Sequence, residues 1–135
     1  MRHKGFTLVE ILIVVVILGI LAAIVVPQFT EASNDAKESA LSSDLQTVRS
    51  QLELYKIQHN GGYPTTMSLL TSKTTIAGVV SATGAYGPYL QKIPTNPFVD
   101  LSTIDTTTKG GGNAGWYYAA GTGEFTPDDD DHSSW

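Results

Sequence analysis

Residues 5–26 read GFTLVEILIVVVILGILAAIVV, a run long and apolar enough to enter a bilayer that nevertheless carries one carboxylate, Glu10. A helix that spans a membrane needs about 20 predominantly apolar residues. A charge inside one costs up to about 3 kcal/mol on insertion scales, so its presence calls for a partner. The segment supplies none, because Phe6 to Val26 contains no Lys, Arg or His, and Arg2 and Lys4 lie on the far side of Gly5. If the chain were cut between Gly5 and Phe6, a new α-amino group would stand about one helical turn from Glu10. It could then pair with Glu10 of another copy. Such pairing makes the chain a polymer subunit whose N-terminal helices stack with a stagger.

The residues around this run, KGFTLVEILIVVVILGILAAIVVP (residues 4–27), resemble the prepilin-type N-terminal motif shared by type IV pilins and type II secretion pseudopilins. A short basic leader, Gly5, Phe6, Thr7, Leu8, Glu10 and Pro27 carry the likeness, which is close over residues 4–29 and looser beyond about residue 65. The resemblance implies cleavage between Gly5 and Phe6 by a prepilin peptidase, an aspartic protease of the inner membrane, with N-methylation of Phe6. It also implies assembly through Phe6, Glu10 and Pro27. Two other readings of the segment explain less. A secretory signal peptide has a shorter apolar core and a small-residue cleavage site, and here Ala22 and Ala23 lie within the run. An ordinary signal anchor accounts for the hydropathy and for Arg2, His3 and Lys4 but leaves Glu10 unexplained. In either membrane reading the basic residues hold the N-terminus in the cytoplasm.

Composition narrows the remainder. The chain has 135 residues and no Cys, which excludes disulfides, a thiolate zinc site and a thiol nucleophile. Removing Arg2 and Lys4 with the leader takes the formal net charge from −5 to −7. So acidic a surface argues against binding nucleic acid by phosphate neutralisation.

Beyond the apolar run the helical pattern continues. Pro27 removes a backbone donor and is expected to kink the helix near residue 23. Ala32, Ala36, Ala40, Leu41, Leu45, Val48, Leu52 and Tyr55 then recur at helical spacing as one apolar stripe, with charged residues mostly off it. Asn60, Gly61 and Gly62 end the helix, and Pro64 prevents its resumption. Thr65 or Thr66 is placed to cap a short helix through Leu70. Residues 71–87 read as a variable loop, and residues 87–98 as an extended, proline-broken stretch. Residues 100–113 read as a flexible loop. Gly115–Ala120 and Gly123–Thr126 form a hairpin around Gly121 and Thr122, with Trp116, Tyr118 and Phe125 on its inner face. The expected architecture is α+β and pilin-like, a long kinked N-terminal helix whose C-terminal half packs on a small antiparallel sheet. Its parts are a cleaved leader (1–5), a membrane-spanning polymerisation helix (6–27), an amphipathic helix (28–60), and loops with the small sheet (61–135).

Other constellations carry less. Asp128, Asp129, Asp130 and Asp131 form the only charge block. The resemblance to the G-type major pseudopilins implies Ca2+ in a C-terminal loop, with Asp100, Asp128 and Asp130 as candidate ligands. Against it, four consecutive carboxylates cannot all aim inward, and NPFVD stands where a DPWG-like turn is usual, so a solvated acidic tail is the competing reading. No cofactor is required. His59 and His132 form no zinc set. Trp116 and Tyr118 are read as core, and as the ligand surface only if the protein is a binding module. GGG at 110–112 lacks the lysine and hydroxyl of a phosphate loop.

The resemblance therefore implies a structural subunit and not an enzyme, most like a G-type major pseudopilin of type II secretion. The expected product is a homopolymer joined through the N-terminal helix. Its expected partners are the prepilin peptidase, an inner-membrane assembly platform and minor pseudopilins, with no nucleic acid as main ligand. The precursor is a single-pass inner-membrane protein, and the fibre lies in the periplasm or at the cell surface. The alternatives are a type IV pilus subunit and a membrane-tethered periplasmic binding module.

Overall fold

The computed structural model describes residues 5–135, and the leader residues Met1, Arg2, His3 and Lys4 lie outside the described residues. One helix, α1 (Leu8–Gln58), is followed by a 3-10 turn (Met67–Thr71) and three short strands, β1 (Ile104–Asp105), β2 (Trp116–Ala119) and β3 (Glu124–Pro127). The helix assignment continues through Pro27, whose side chain lies outside the described residues. The chain divides into two compact units, Met1–Glu38 and Ser39–Trp135. That boundary follows contacts, whereas the division at residue 27 follows hydropathy.

In the first unit the part of α1 from Leu8 to Val26 is apolar on all sides but for Glu10, and it is uncovered. Its apolar residues from Leu8 to Val26 are all about half exposed or more. This part of α1 is long and apolar enough to cross a membrane, with mean hydropathy 3.3 in the best window and none of it buried.

In the second unit the stripe on α1 becomes a core. Leu41, Leu45, Val48, Leu52 and Tyr55 are buried together with Met67, Leu69, Leu70, Trp116, Tyr118 and Phe125. Burial begins at Leu41. Ala32, Ala36 and Ala40, expected on the same stripe, are exposed. Helix spacing identifies a face, but a methyl group becomes core only where another element covers it.

The helix ends as its residues require. Asn60 (φ 56°) and Gly61 (φ 83°) adopt left-handed backbone, and Gly61 N donates to Lys56 O at 2.9 Å, the six-to-one bond of a Schellman stop. The buried His59 donates from Nδ1 to Tyr55 O at 2.8 Å and accepts from Thr74 Oγ1 at 2.9 Å.

The sheet order is β1-β2-β3. β2 and β3 are antiparallel, with Tyr118 opposite Phe125, as the hairpin reading expects. β1 corrects that reading in two ways: it falls inside the stretch expected to be loop, and it pairs parallel to β2, with Ile104 opposite Trp116. The sheet is mixed, not antiparallel. A two-residue strand is too short to leave a period in the sequence. Gly115 permits the approach, since a Cβ there would meet Leu101 O at 2.0 Å.

Candidate functional site

The N-terminal start of α1 holds the residues singled out for processing and assembly. A Cβ at Gly5 would meet nothing within 4 Å, so Gly5 is not packed against the described residues beyond its chain neighbours. Phe6 is 77% exposed.

Thr7 precedes the first helical residue, and Glu10 sits in the first turn. Thr7 Oγ1 accepts from Glu10 N at 3.3 Å and donates to Glu10 Oε2 at 3.3 Å, while Thr7 N lies 3.5 Å from the same oxygen. This is a reciprocal capping box. Hydropathy and charge alone miss it, although the signal, Thr-x-x-Glu before an apolar run, stands in TLVE at 7–10. The helix dipole favours a carboxylate at this end as well. Glu10 thus has local hydrogen-bond partners within its own chain, but no basic side chain is available between Phe6 and Val26.

The acidic block is divided. Asp128 and Asp129 are buried, whereas Asp130 and Asp131 are exposed. Asp128 spends both carboxylate oxygens on backbone donors, Oδ1 on Gly111 N and Oδ2 on Ala114 N, each at 3.0 Å. Asp129 Oδ2 accepts from Asn96 Nδ2 at 2.9 Å, and its Oδ1 accepts from His132 N at 3.0 Å and from His132 Nδ1. Burial pushes the Asp129 carboxyl up, but the bonds from Asn96 and His132 outweigh burial and hold it below the usual carboxylate range. Asp100 is exposed in a left-handed conformation (φ 56°). Among the described residues no three His, Cys, Asp or Glu side chains form a group that could hold a metal ion, and this includes Asp100, Asp128 and Asp130. The block is therefore neither wholly solvated nor a set of converging ligands.

Trp116 and Tyr118 are fully buried. Trp116 Nε1 donates to Pro94 O at 2.8 Å and Tyr118 OH to Pro64 O at 2.7 Å, so each polar tip is tied to the loops that cover the sheet. The binding-module reading needed these two rings as a ligand surface, and neither is on the surface.

Comparison with known proteins matches residues 1–26 to the prokaryotic N-terminal methylation motif and residues 28–111 to the type II secretion system protein G family. The chain is 39% identical over 104 residues to a type II secretion system core protein G of Pseudomonas aeruginosa, covering 72% of this chain and 69% of that one. A core protein G of Klebsiella pneumoniae is 35% identical over 99 residues, covering 72% and 70%. One of Vibrio cholerae is 33% identical over 121 residues, covering 81% of each. No solved structure matches the chain at a significant level.

Proposed function

This chain belongs to the type II secretion system protein G family, and from that premise we propose that it is a structural subunit of a type II secretion pseudopilus. It is made as a precursor anchored in the inner membrane by the apolar part of α1, with the N-terminus in the cytoplasm. A prepilin peptidase cuts between Gly5 and Phe6 and N-methylates Phe6. An assembly platform in the inner membrane and minor pseudopilins then take part in polymerising it into a fibre that drives export. The role is mechanical, and energy comes from a cytoplasmic partner.

Glu10 carries this reading. The capping box contributes about 1 kcal/mol and the helix dipole about 0.3–1 kcal/mol, against up to about 3 kcal/mol for a charge in hydrocarbon. Local contacts thus offset only part of the cost. The remainder is removed when the Phe6 amine of a neighbouring subunit pairs with Glu10, so the free energy favours the fibre over the isolated subunit. The match to the methylation motif supports cleavage at this bond, and the names of the relatives favour secretion over a type IV pilus.

The test is the mass of the N-terminal peptide of the protein isolated from its native host. A peptide beginning at N-methylated Phe6 is expected. Retention of Met1 to Gly5 would leave Glu10 without its partner and overturn the reading.

A further inference from the structure

The G-type likeness implies a divalent cation in the C-terminal loop, and the residues in this chain do not fit one. A hard cation such as Ca2+ takes six to eight oxygen ligands. Here the two acidic residues that point inward already face hydrogen donors. Gly111 N and Ala114 N occupy the two oxygens of Asp128. Asn96 Nδ2 and the two nitrogens of His132 occupy those of Asp129. Of the roughly four lone-pair sites on each carboxylate, donors already take two on Asp128 and three on Asp129, and among the described residues no third acidic side chain converges with them to complete a cation's shell.

The same bonds close the loop. Asp128 also accepts Gly112 N at its main-chain oxygen, at 2.7 Å, and donates its own N to Gly115 O at 3.3 Å, so it clasps residues 111–115 to the end of β3. Asn96, fully buried, donates from Nδ2 to Gly115 O as well as to Asp129, and its Oδ1 accepts from Phe98 N at 2.9 Å. One amide thereby links three segments of the chain. The His132 ring lies against Phe98, with centroids 4.2 Å apart. Bonds to a buried carboxylate are of the stronger, charge-assisted kind.

We infer that Asn96, Asp128, Asp129 and His132 form a metal-free clasp that does the work of a cation in this loop, so that the protein reaches its full stability without Ca2+. Thermal unfolding of the full chain in detergent micelles, followed by the near-ultraviolet circular dichroism of its tryptophans, tests this. Melting midpoints in a calcium chelator and in millimolar CaCl2 are expected to coincide. A cation held at about 100 times its Kd would raise the midpoint by roughly ten degrees or more, and a rise of that order would overturn the inference. Asp128→Asn adds a second reading, since an amide keeps one acceptor but puts a donor opposite a backbone N–H. Its midpoint is expected to fall by several degrees, equally in chelator and in CaCl2. A fall seen only in CaCl2 would mean that Asp128 serves as a cation ligand and would likewise overturn the clasp. Should this variant fail to fold, the two melts of the unaltered chain still decide the matter.

Discussion

Glu10→Gln separates two roles of one side chain. Glutamine serves at the third position of a capping box as well as glutamate does, so the helix start is retained while the charge is lost. The variant is expected to insert normally and to yield at least about ten-fold less fibre in a sheared or pelleted fraction, the loss that about 1.4 kcal/mol of charge pairing would produce. Thr7→Ala should do the reverse, weakening the cap by about 0.5–2 kcal/mol while leaving the charge pair available. Normal fibres from Glu10→Gln would mean that the cap, and not the charge, is what assembly requires. Tyr118 shows a residue-scale effect in the folded core. Burial raises its phenol well above the ordinary value, so the folded state keeps a proton that the unfolded state releases above about pH 10. Its contribution is complete below that pH and is lost as pH rises further. Absorbance at 295 nm should therefore show Tyr118 ionising only as the domain unfolds in alkali, and ionisation ahead of unfolding would contradict its burial. Two glycines contrast in the same way. Gly115→Ala places a methyl group against the Leu101 carbonyl and should cost on the order of 2 kcal/mol, as overpacking does. Gly121→Ala meets open space and should change the melting midpoint little.

At the scale of elements, α1 is one helix with two environments. Along its first part an apolar surrounding suffices, because a helix pairs its backbone groups internally apart from its first turn, which Thr7 and Glu10 cap, and the donor that Pro27 lacks. From Leu41 onward its stability comes from packing. Leu52 is 1% exposed and belongs to the same cluster as Leu70 and Tyr118, so Leu52→Ala should lower stability by about 2–5 kcal/mol in a denaturant melt. Ala40, one residue before the core begins, is exposed, and a substitution there by another good helix former should fall within about 0.5 kcal/mol of neutral. A large loss at Ala40 and none at Leu52 would reverse the direction in which α1 is buried. The sheet shows the limits of reading elements locally. The hairpin of β2 and β3 follows from alternation and a glycine-containing turn. β1 exists because Gly115 lets the chain near Leu101 come within bonding distance, a relation between residues far apart in sequence.

Over the whole molecule, the two units differ in what they need from their surroundings. The second has its own core and its own polar anchors, including Arg49, whose guanidinium donates to Phe125 O at 2.8 Å and to Trp135 O at 2.7 Å. The first exposes its apolar side chains from Leu8 to Val26, and none of its described residues is buried. A chain beginning at Gln28 should therefore remain soluble without detergent and give the near-ultraviolet spectrum of the full protein. Aggregation of that fragment, or loss of its tryptophan signal, would show that the core depends on the apolar part of α1.

Much of this was written in local sequence. The apolar run with its single carboxylate, the stripe from Leu41 to Tyr55, the stop at Asn60 and Gly61, and the inner face of Trp116, Tyr118 and Phe125 all depend on neighbours a few residues away, where spacing and residue type are sufficient. The capping box at Thr7 and Glu10 was legible there too, as a four-residue pattern. Tertiary structure alone decided the parallel pairing of β1, the exposure of Ala32, Ala36 and Ala40, and the division of four consecutive aspartates into two that bind backbone or side-chain donors and two that face water. A carboxylate carries the same letter whether it meets solvent, a cation or an N–H group. Which of these it meets is set by the donors that distant segments bring to it, and for Asp128 and Asp129 those are Gly111, Ala114 and Asn96.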